Sequence, residues 1–192
     1  MAEEVEIKLR VAAAEAARER ILALGFVVRH GRELETNLVF DTAEGRMRQS
    51  GELLRLRRHG ERTTLTYKGL GRAAKHKARE EVEVKVSDGA AFETILARLG
   101  YAPAFRYEKY RIEYERPGAG GIVTVDETPI GNFFEIEGEP DWIDATAREL
   151  GFGESEYITR SYGALYAAHR ERNPSAPRDM VFEAGGMTAA LE

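Results

Sequence analysis

Cysteine is absent from all 192 residues, so neither disulfides nor thiolate metal sites can hold this fold together. Long apolar runs are missing as well: no stretch approaches the ~18 consecutive residues that a membrane helix needs. The opening Met1-Ala2-Glu3-Glu4 is acidic and passes directly into a patterned segment, unlike a secretory signal. A basic excess is also lacking. The formal net charge of −5 argues against duplex nucleic acid, which rewards a basic face. His30, His59, His76 and His169 show no metal-ligand spacing. Gly69-Leu70-Gly71-Arg72 lacks the Gly-Lys-Ser/Thr ending and following helix of a Walker phosphate loop. These absences leave a soluble cytoplasmic protein without membrane or duplex nucleic-acid partners as the expectation, either a monomer or a homodimer.

What the sequence does have is alternation. At 43% hydrophobic the chain can bury the core of one domain and is short for two. In Glu4-Val5-Glu6-Ile7-Lys8-Leu9-Arg10 every even position is charged and every odd one apolar, the period of a strand with one apolar face. The scheme returns in Leu54–Arg57, Thr64–Lys68, Glu81–Val86, Lys109–Tyr114, Val123–Asp126 and Phe134–Glu137. With the weaker pattern of Val27–Asp41, about eight strands are expected. Helical spacing is read over Ala12–Leu24, Asp88–Leu99, Asp141–Leu150 and Ser161–Arg170, the first three followed by Gly25, Gly100 and Gly151. A strand with two same-face carboxylates, a helix and a Leu-Gly-aromatic ending therefore occur three times. The domain is expected over residues 1–170, with 171–192 a patternless, mobile tail.

A charged strand face can simply meet water, and Arg10, Arg79, Glu80 and Lys85 fit that reading as well as any other. Seven strands repeating it, with glutamates concentrated in some and arginine or lysine in others, suggest that the sheet closes. Val5, Ile7, Leu56, Val82, Val84, Ile112 and Ile136 then face outward under helices, and the charges point into a lumen. This is an α+β fold, an antiparallel barrel with helices packed outside. Glu4, Glu6, Glu135 and Glu137, joined by Asp126, offer hard oxygen ligands suited to Mg²⁺ or Mn²⁺. Carboxylates two residues apart on a strand are separated by roughly 6–7 Å, close enough to bracket an ion. Lys8, Arg55, Arg57, Lys68, Lys109 and Arg111 form the opposite set, with guanidinium forks that match phosphate oxygens. Six cations exceed what a monophosphate needs, so the combination points to a metal-bound polyphosphate. The roles of Glu81 and Glu83 stay open.

The order of these segments resembles the CYTH, or triphosphate tunnel metalloenzyme, superfamily, which includes class IV adenylate cyclases, thiamine triphosphatases and inorganic triphosphatases. Glu4-x-Glu6-x-Lys8 is similar to its opening signature. Phe40-Asp41-Thr42, Leu54-Arg55-Leu56-Arg57, Thr66-Tyr67-Lys68-Gly69, Arg79-x-Glu81-x-Glu83, Lys109-x-Arg111, Val125-Asp126-Glu127, Gly131–Gly138 and Ser161-Tyr162 with Leu165 follow in register. The resemblance runs from Glu4 to about Tyr166. It implies an eight-stranded tunnel holding divalent metal at Glu4, Glu6, Glu135 and Glu137, with the triphosphate lying along the six cations. Glu4, Glu6, Lys8 and Arg57 are the expected catalytic residues, and Arg160 stands where some members carry a basic residue. Pro129-Ile130-Gly131 departs from the Gly-Leu-Gly of many cyclase-like members.

Two reactions use the same lumen. A hydrolase directs water to the terminal phosphorus of an inorganic or organic triphosphate, such as thiamine triphosphate or a nucleoside triphosphate. An adenylate cyclase directs the ribose 3′-hydroxyl of ATP to the α-phosphorus and releases pyrophosphate. A non-catalytic polyphosphate-binding module fits less well, because carboxylates would weaken pure anion binding. Hydrolysis demands fewer specific features.

Overall fold

Each alternating segment becomes a strand: β1 (Ala2–Val11), β2 (Val27–Thr42), β3 (Leu53–His59), β4 (Arg62–Lys68), β5 (Lys77–Lys85), β6 (Tyr101–Glu115), β7 (Ile122–Thr128) and β8 (Gly131–Glu137). The structure is a computed structural model and describes residues 2–72 and 75–183. Neighbouring strands are antiparallel, and the sheet closes in the order β1-β5-β4-β3-β2-β6-β7-β8. Closure depends on β1, which pairs with β5 through its first half and with β8 through its second. Glu6 consequently stands opposite Lys77 on one side and Glu137 on the other. A barrel of this strand number has an interior that side chains fill or that one small ligand can enter.

Helices α1 (Ala14–Ala23), α3 (Gly89–Arg98), α4 (Pro140–Glu149) and α5 (Tyr162–Arg172) follow the helical spacing. The main core lies outside the barrel, where Ile7, Leu9, Val125 and Ile136 meet Ala17 and Ile21 of α1 and Ile143 and Ala147 of α4. Asp88 caps α3 by accepting from the Ala91 amide at 3.0 Å, and Ser161 caps α5 by accepting from Ala164 at 3.2 Å. The threefold Leu-Gly-aromatic ending is a shared way of stopping a helix. Gly25, Gly100 and Gly151 all take positive φ, at 81°, 88° and 75°. After α1 and α4 the next amide reaches back over the last turn, Phe26 to Ile21 and Phe152 to Ala147.

Three features differ from the sequence expectation. A short helix α2 (Arg46–Ser50) intervenes between β2 and β3. Asp41 builds it, accepting from the amides of Thr42, Met47 and Arg48. Val82 and Val84 face outward but lie under no helix, with 46% and 53% of their surface exposed. Ile7, Leu56, Ile112 and Ile136 are buried as expected, and Val5 is half-buried. The tail from 173 to 183 is seated on the barrel: Met180, fully buried, bonds through its backbone to Arg106 and Glu108 of β6. Tyr166 donates to the Pro177 carbonyl at 2.8 Å. Apolar pattern does not signal this because the anchors are isolated, Met180 among Tyr107, Tyr162 and Tyr166 and Phe182 against Tyr110, with no period between them; residues 184–192 lie outside the described residues.

Candidate active site

The even positions of β1 point inward, and the register carries the same parity round the barrel. The result is a cavity of about 1400 Å³ lined by charges of both signs. All six expected phosphate-binding cations line it, as do Glu4, Glu6, Glu135 and Glu137. Their pairing divides the lumen into a compensated centre and two less compensated walls.

The centre is organised by Asp126, which has no exposed surface. Its carboxylate accepts from Lys109 Nζ at 2.8 Å, from Arg111 Nε and Nη2 at 2.7 and 2.6 Å, and from the Tyr162 hydroxyl at 2.8 Å. With its oxygens taken up by Lys109, Arg111 and Tyr162, Asp126, expected from sequence among the metal ligands, stands in this structure as the shared counter-ion of two buried cations. Glu135 is similar. It takes Lys8 at 3.0 Å, stands 3.7 Å from Lys109, and is bonded by Arg111. Burial pushes its carboxyl up, but Lys109, Lys8 and Arg111 outweigh burial and hold it well below the usual range. The Tyr162 ring, from the start of α5, completes the centre beneath the ammonium groups of Lys8 and Lys109, 5.3 and 5.1 Å from its centroid.

On one wall stand Glu4, Glu6 and Glu137. Both oxygens of Glu4 accept from Lys68, at 2.5 and 2.6 Å, and Arg79 Nε lies at 3.3 Å. Glu6 accepts from Lys77 at 2.5 Å and faces Lys8 at 3.2 Å. Glu137, solvent-exposed at the mouth, has no cation within 4.0 Å among the described residues. Desolvation by the barrel wall, with the negative charges of Glu4 and Glu6, pushes its carboxyl up to about 7. Hard carboxylate oxygens, one of them lacking a counter-charge, suit a divalent cation. Among the described residues no three acidic or histidine side chains stand in metal-holding geometry, since lysine ammonium groups lie between them.

The other wall holds Arg55 and Arg57. Arg55 is buried, yet its hydrogen-bond partners among the described residues are the neutral hydroxyls of Tyr107 at 3.3 Å and Thr66 at 3.2 Å. Among the described residues no carboxylate lies within 4.0 Å of it, and its Nε has no partner. Arg57 uses Nε alone, toward Glu35 and Asn37, both at 3.4 Å. Glu35 and Glu81 act on Arg55 only through space, so its guanidinium has donors left for an anion to meet.

Several lumenal residues were not singled out in the sequence. Glu35 and Asn37 have no exposed surface and sit between Arg57 and Lys109. Lys77, and Arg79, which the sequence left open, support Glu6 and Glu4. Their signal was parity: Glu33-Glu35-Asn37 and Lys77-Arg79-Glu81-Glu83 are both alternating polar sets, one weakened by neighbouring threonine and the other begun four residues before the segment was recognised. Glu81 reaches the lumen, 2.9 Å from Lys68, and Glu83 accepts from Thr66 at 3.2 Å. Arg10 is exposed and bonds the Ile130 carbonyl, while Arg160 bonds the Ala164 carbonyl. The histidines stay outside the cavity lining. So does the Pro129-Ile130 turn.

The match to known proteins follows the same limits. The CYTH domain pattern covers residues 2–162. This chain belongs to the CYTH domain family. A Methanocaldococcus jannaschii protein named "Putative adenylate cyclase" is 28% identical over 134 residues, 70% of this chain and 75% of that one. The PH1819 protein of Pyrococcus horikoshii OT3 superposes with a TM-score of 0.74 at 28% identity, covering 87% of this chain and 99% of its own. An adenylyl-cyclase candidate from Hippeastrum, described as having a dominant triphosphatase activity, superposes with a TM-score of 0.65 over 88% of this chain and 96% of its own. At 19% identity, it speaks for the fold. Residues 163–183, including most of α5 and the seated tail, lie beyond the CYTH match.

Proposed function

We propose that this CYTH protein is a divalent-metal-dependent enzyme acting on a triphosphate, with hydrolysis as its reaction. The observation that carries this reading is Arg55, a buried guanidinium whose hydrogen-bond partners among the described residues are hydroxyls. Together with the unoccupied fork of Arg57 it offers paired N–H donors to phosphate oxygens. Glu4, Glu6 and Glu137 would hold Mg²⁺ or Mn²⁺. Such an ion supplies charge neutralisation at the phosphates and lowers the proton affinity of bound water. Lys8, fixed between Glu6 and Glu135, links the carboxylate wall to the centre. The near balance of charges in the lining favours a polyphosphate that arrives with its cations over a bare polyanion.

Cyclisation of ATP is the second reading, and one observation favours it. The cavity is also lined by Val39, Met47, Leu53, Pro103 and Phe105, apolar surface that an inorganic triphosphate would not use and an organic group would. The name of the Methanocaldococcus relative agrees with it. Incubation with Mg²⁺ or Mn²⁺ and, separately, inorganic triphosphate, thiamine triphosphate and ATP, with product identification, separates the two. Orthophosphate from a triphosphate supports hydrolysis, cyclic AMP with pyrophosphate supports cyclisation, and inertness toward all three contradicts both.

A further inference from the structure

Glu6 is met by two ammonium groups that are not equivalent. Lys8 is shared with Glu135 and so belongs to the compensated centre. Lys77 has no carboxylate other than Glu6 within 4.0 Å among the described residues, its side chain is only 11% exposed, and it lines the cavity. Its backbone is held on both sides. Across the sheet it pairs with Glu6 itself. Just before it, Lys75 Nζ and His76 Nε2 reach the two oxygens of Asp144 on α4, at 2.7 and 2.8 Å, and Lys75 also bonds Glu154. The ammonium group is therefore delivered to the Glu6 carboxylate by an anchored strand.

We infer that Lys77 is a built-in counter-ion for the carboxylate wall, which keeps Glu6 compensated until a divalent cation binds and then competes with that cation for it. The inference rests on the assignment of Glu4, Glu6 and Glu137 as the cation-holding group. Its physical basis is simple. Glu6 Oε1 already accepts from Lys77 at 2.5 Å, and the lone pairs used there are the ones a hard cation requires. A divalent ion at this oxygen would also meet an adjacent positive charge in a confined, weakly screened space. Lys77 thus lowers the affinity of the site for metal, and its displacement is part of loading.

Titration calorimetry with Mn²⁺ alone, without any phosphate, tests this, alongside thermal melts in chelator. Lys77→Met is expected to bind Mn²⁺ about ten-fold more tightly than wild type and to gain more in melting temperature on adding it. Lys77→Arg keeps the charge and is expected to bind no more tightly than wild type. Lys85→Met removes the same charge from the exposed end of β5 and should leave affinity unchanged. Unchanged or weaker Mn²⁺ binding by Lys77→Met overturns the inference, as does equal tightening by Lys85→Met. If Lys77→Met does not fold in chelator, Lys77→Gln supplies the same comparison. Glu137→Gln separates the two levels of the argument. If wild type binds Mn²⁺, Glu137→Gln loses it and Lys77→Met matches wild type, only the role of Lys77 fails. Should Glu137→Gln bind as wild type does, the carboxylate assignment itself fails and the inference falls with it.

Discussion

The centre of the lumen and the Arg55–Arg57 wall carry the same kinds of side chain and are finished in opposite ways. Around Asp126, two cations and a tyrosine hydroxyl complete one buried carboxylate. At Arg55 the hydrogen-bond partners of a buried cation, among the described residues, are hydroxyls. The carboxylate is answered within the protein; the guanidinium keeps a donor that no partner meets among the described residues. A charged lumen is therefore not uniformly a binding surface, and pairing distinguishes its parts.

Breaking the centre should have the largest effect. Asp126→Asn leaves Lys109 and Arg111 without their shared counter-ion and should destabilise the fold by about 3–5 kcal/mol, read from denaturant midpoints. Equal stability would place Asp126 among the ligand-binding groups after all. On the carboxylate wall, Glu6→Gln keeps the volume and removes a hard ligand. Turnover of the triphosphate should fall by about 100-fold or more, with a stable fold by circular dichroism; full activity at limiting metal would contradict the assignment. Arg57→Ala, on the cationic wall, should weaken triphosphate–Mg²⁺ binding by about ten-fold, since a charge-assisted hydrogen bond contributes on the order of 1.5–3 kcal/mol, and should leave the melting temperature nearly unchanged.

The parts legible in the sequence were those where parity was strong on both faces of a strand. Eight strands and the inward direction of Lys8, Arg55, Lys68 and Arg111 follow from alternation, and the four longer helices follow from apolar spacing of three and four with glycine stops. Which inward charge meets which was not legible, because pairing depends on strand order. Glu6 meets Lys77, and Lys8 meets Glu135, only because β1 lies between β5 and β8. The same cause hides the partners of Asp126, whose residue type suits a metal and whose neighbours Lys109 and Arg111 arrive from β6, adjacent to β7. The seating of the tail from 173 to 183 is not legible because its apolar anchors, Met180 and Phe182, stand alone without a period.

Two smaller effects sharpen the comparison. Because Glu137 is pushed up to about 7 from an ordinary 4.5, the folded protein binds more protons there than the unfolded chain between those values. Its contribution therefore becomes less favourable as pH rises from about 4.5 to about 7. Relative to wild type, Glu137→Gln should gain stability across that window, modestly, given the exposure of the group; a parallel pH profile would remove the like-charge account of this wall. Smallest of all, Val84→Thr on the uncovered outer face of β5 should change stability by no more than about 0.5 kcal/mol. A larger loss would mean that something covers this face.

The central claim is that the arginine wall is unfinished by design of the chain and the Asp126 centre is not, and melting of Arg55→Met against wild type tests it most directly. Without ligand the variant should melt close to the wild-type temperature, because no direct ion pair among the described residues is lost. With Mg²⁺ and inorganic triphosphate, wild type should rise by several degrees and Arg55→Met should rise little. A variant that melts well below wild type yet keeps the full rise on adding triphosphate would contradict the account.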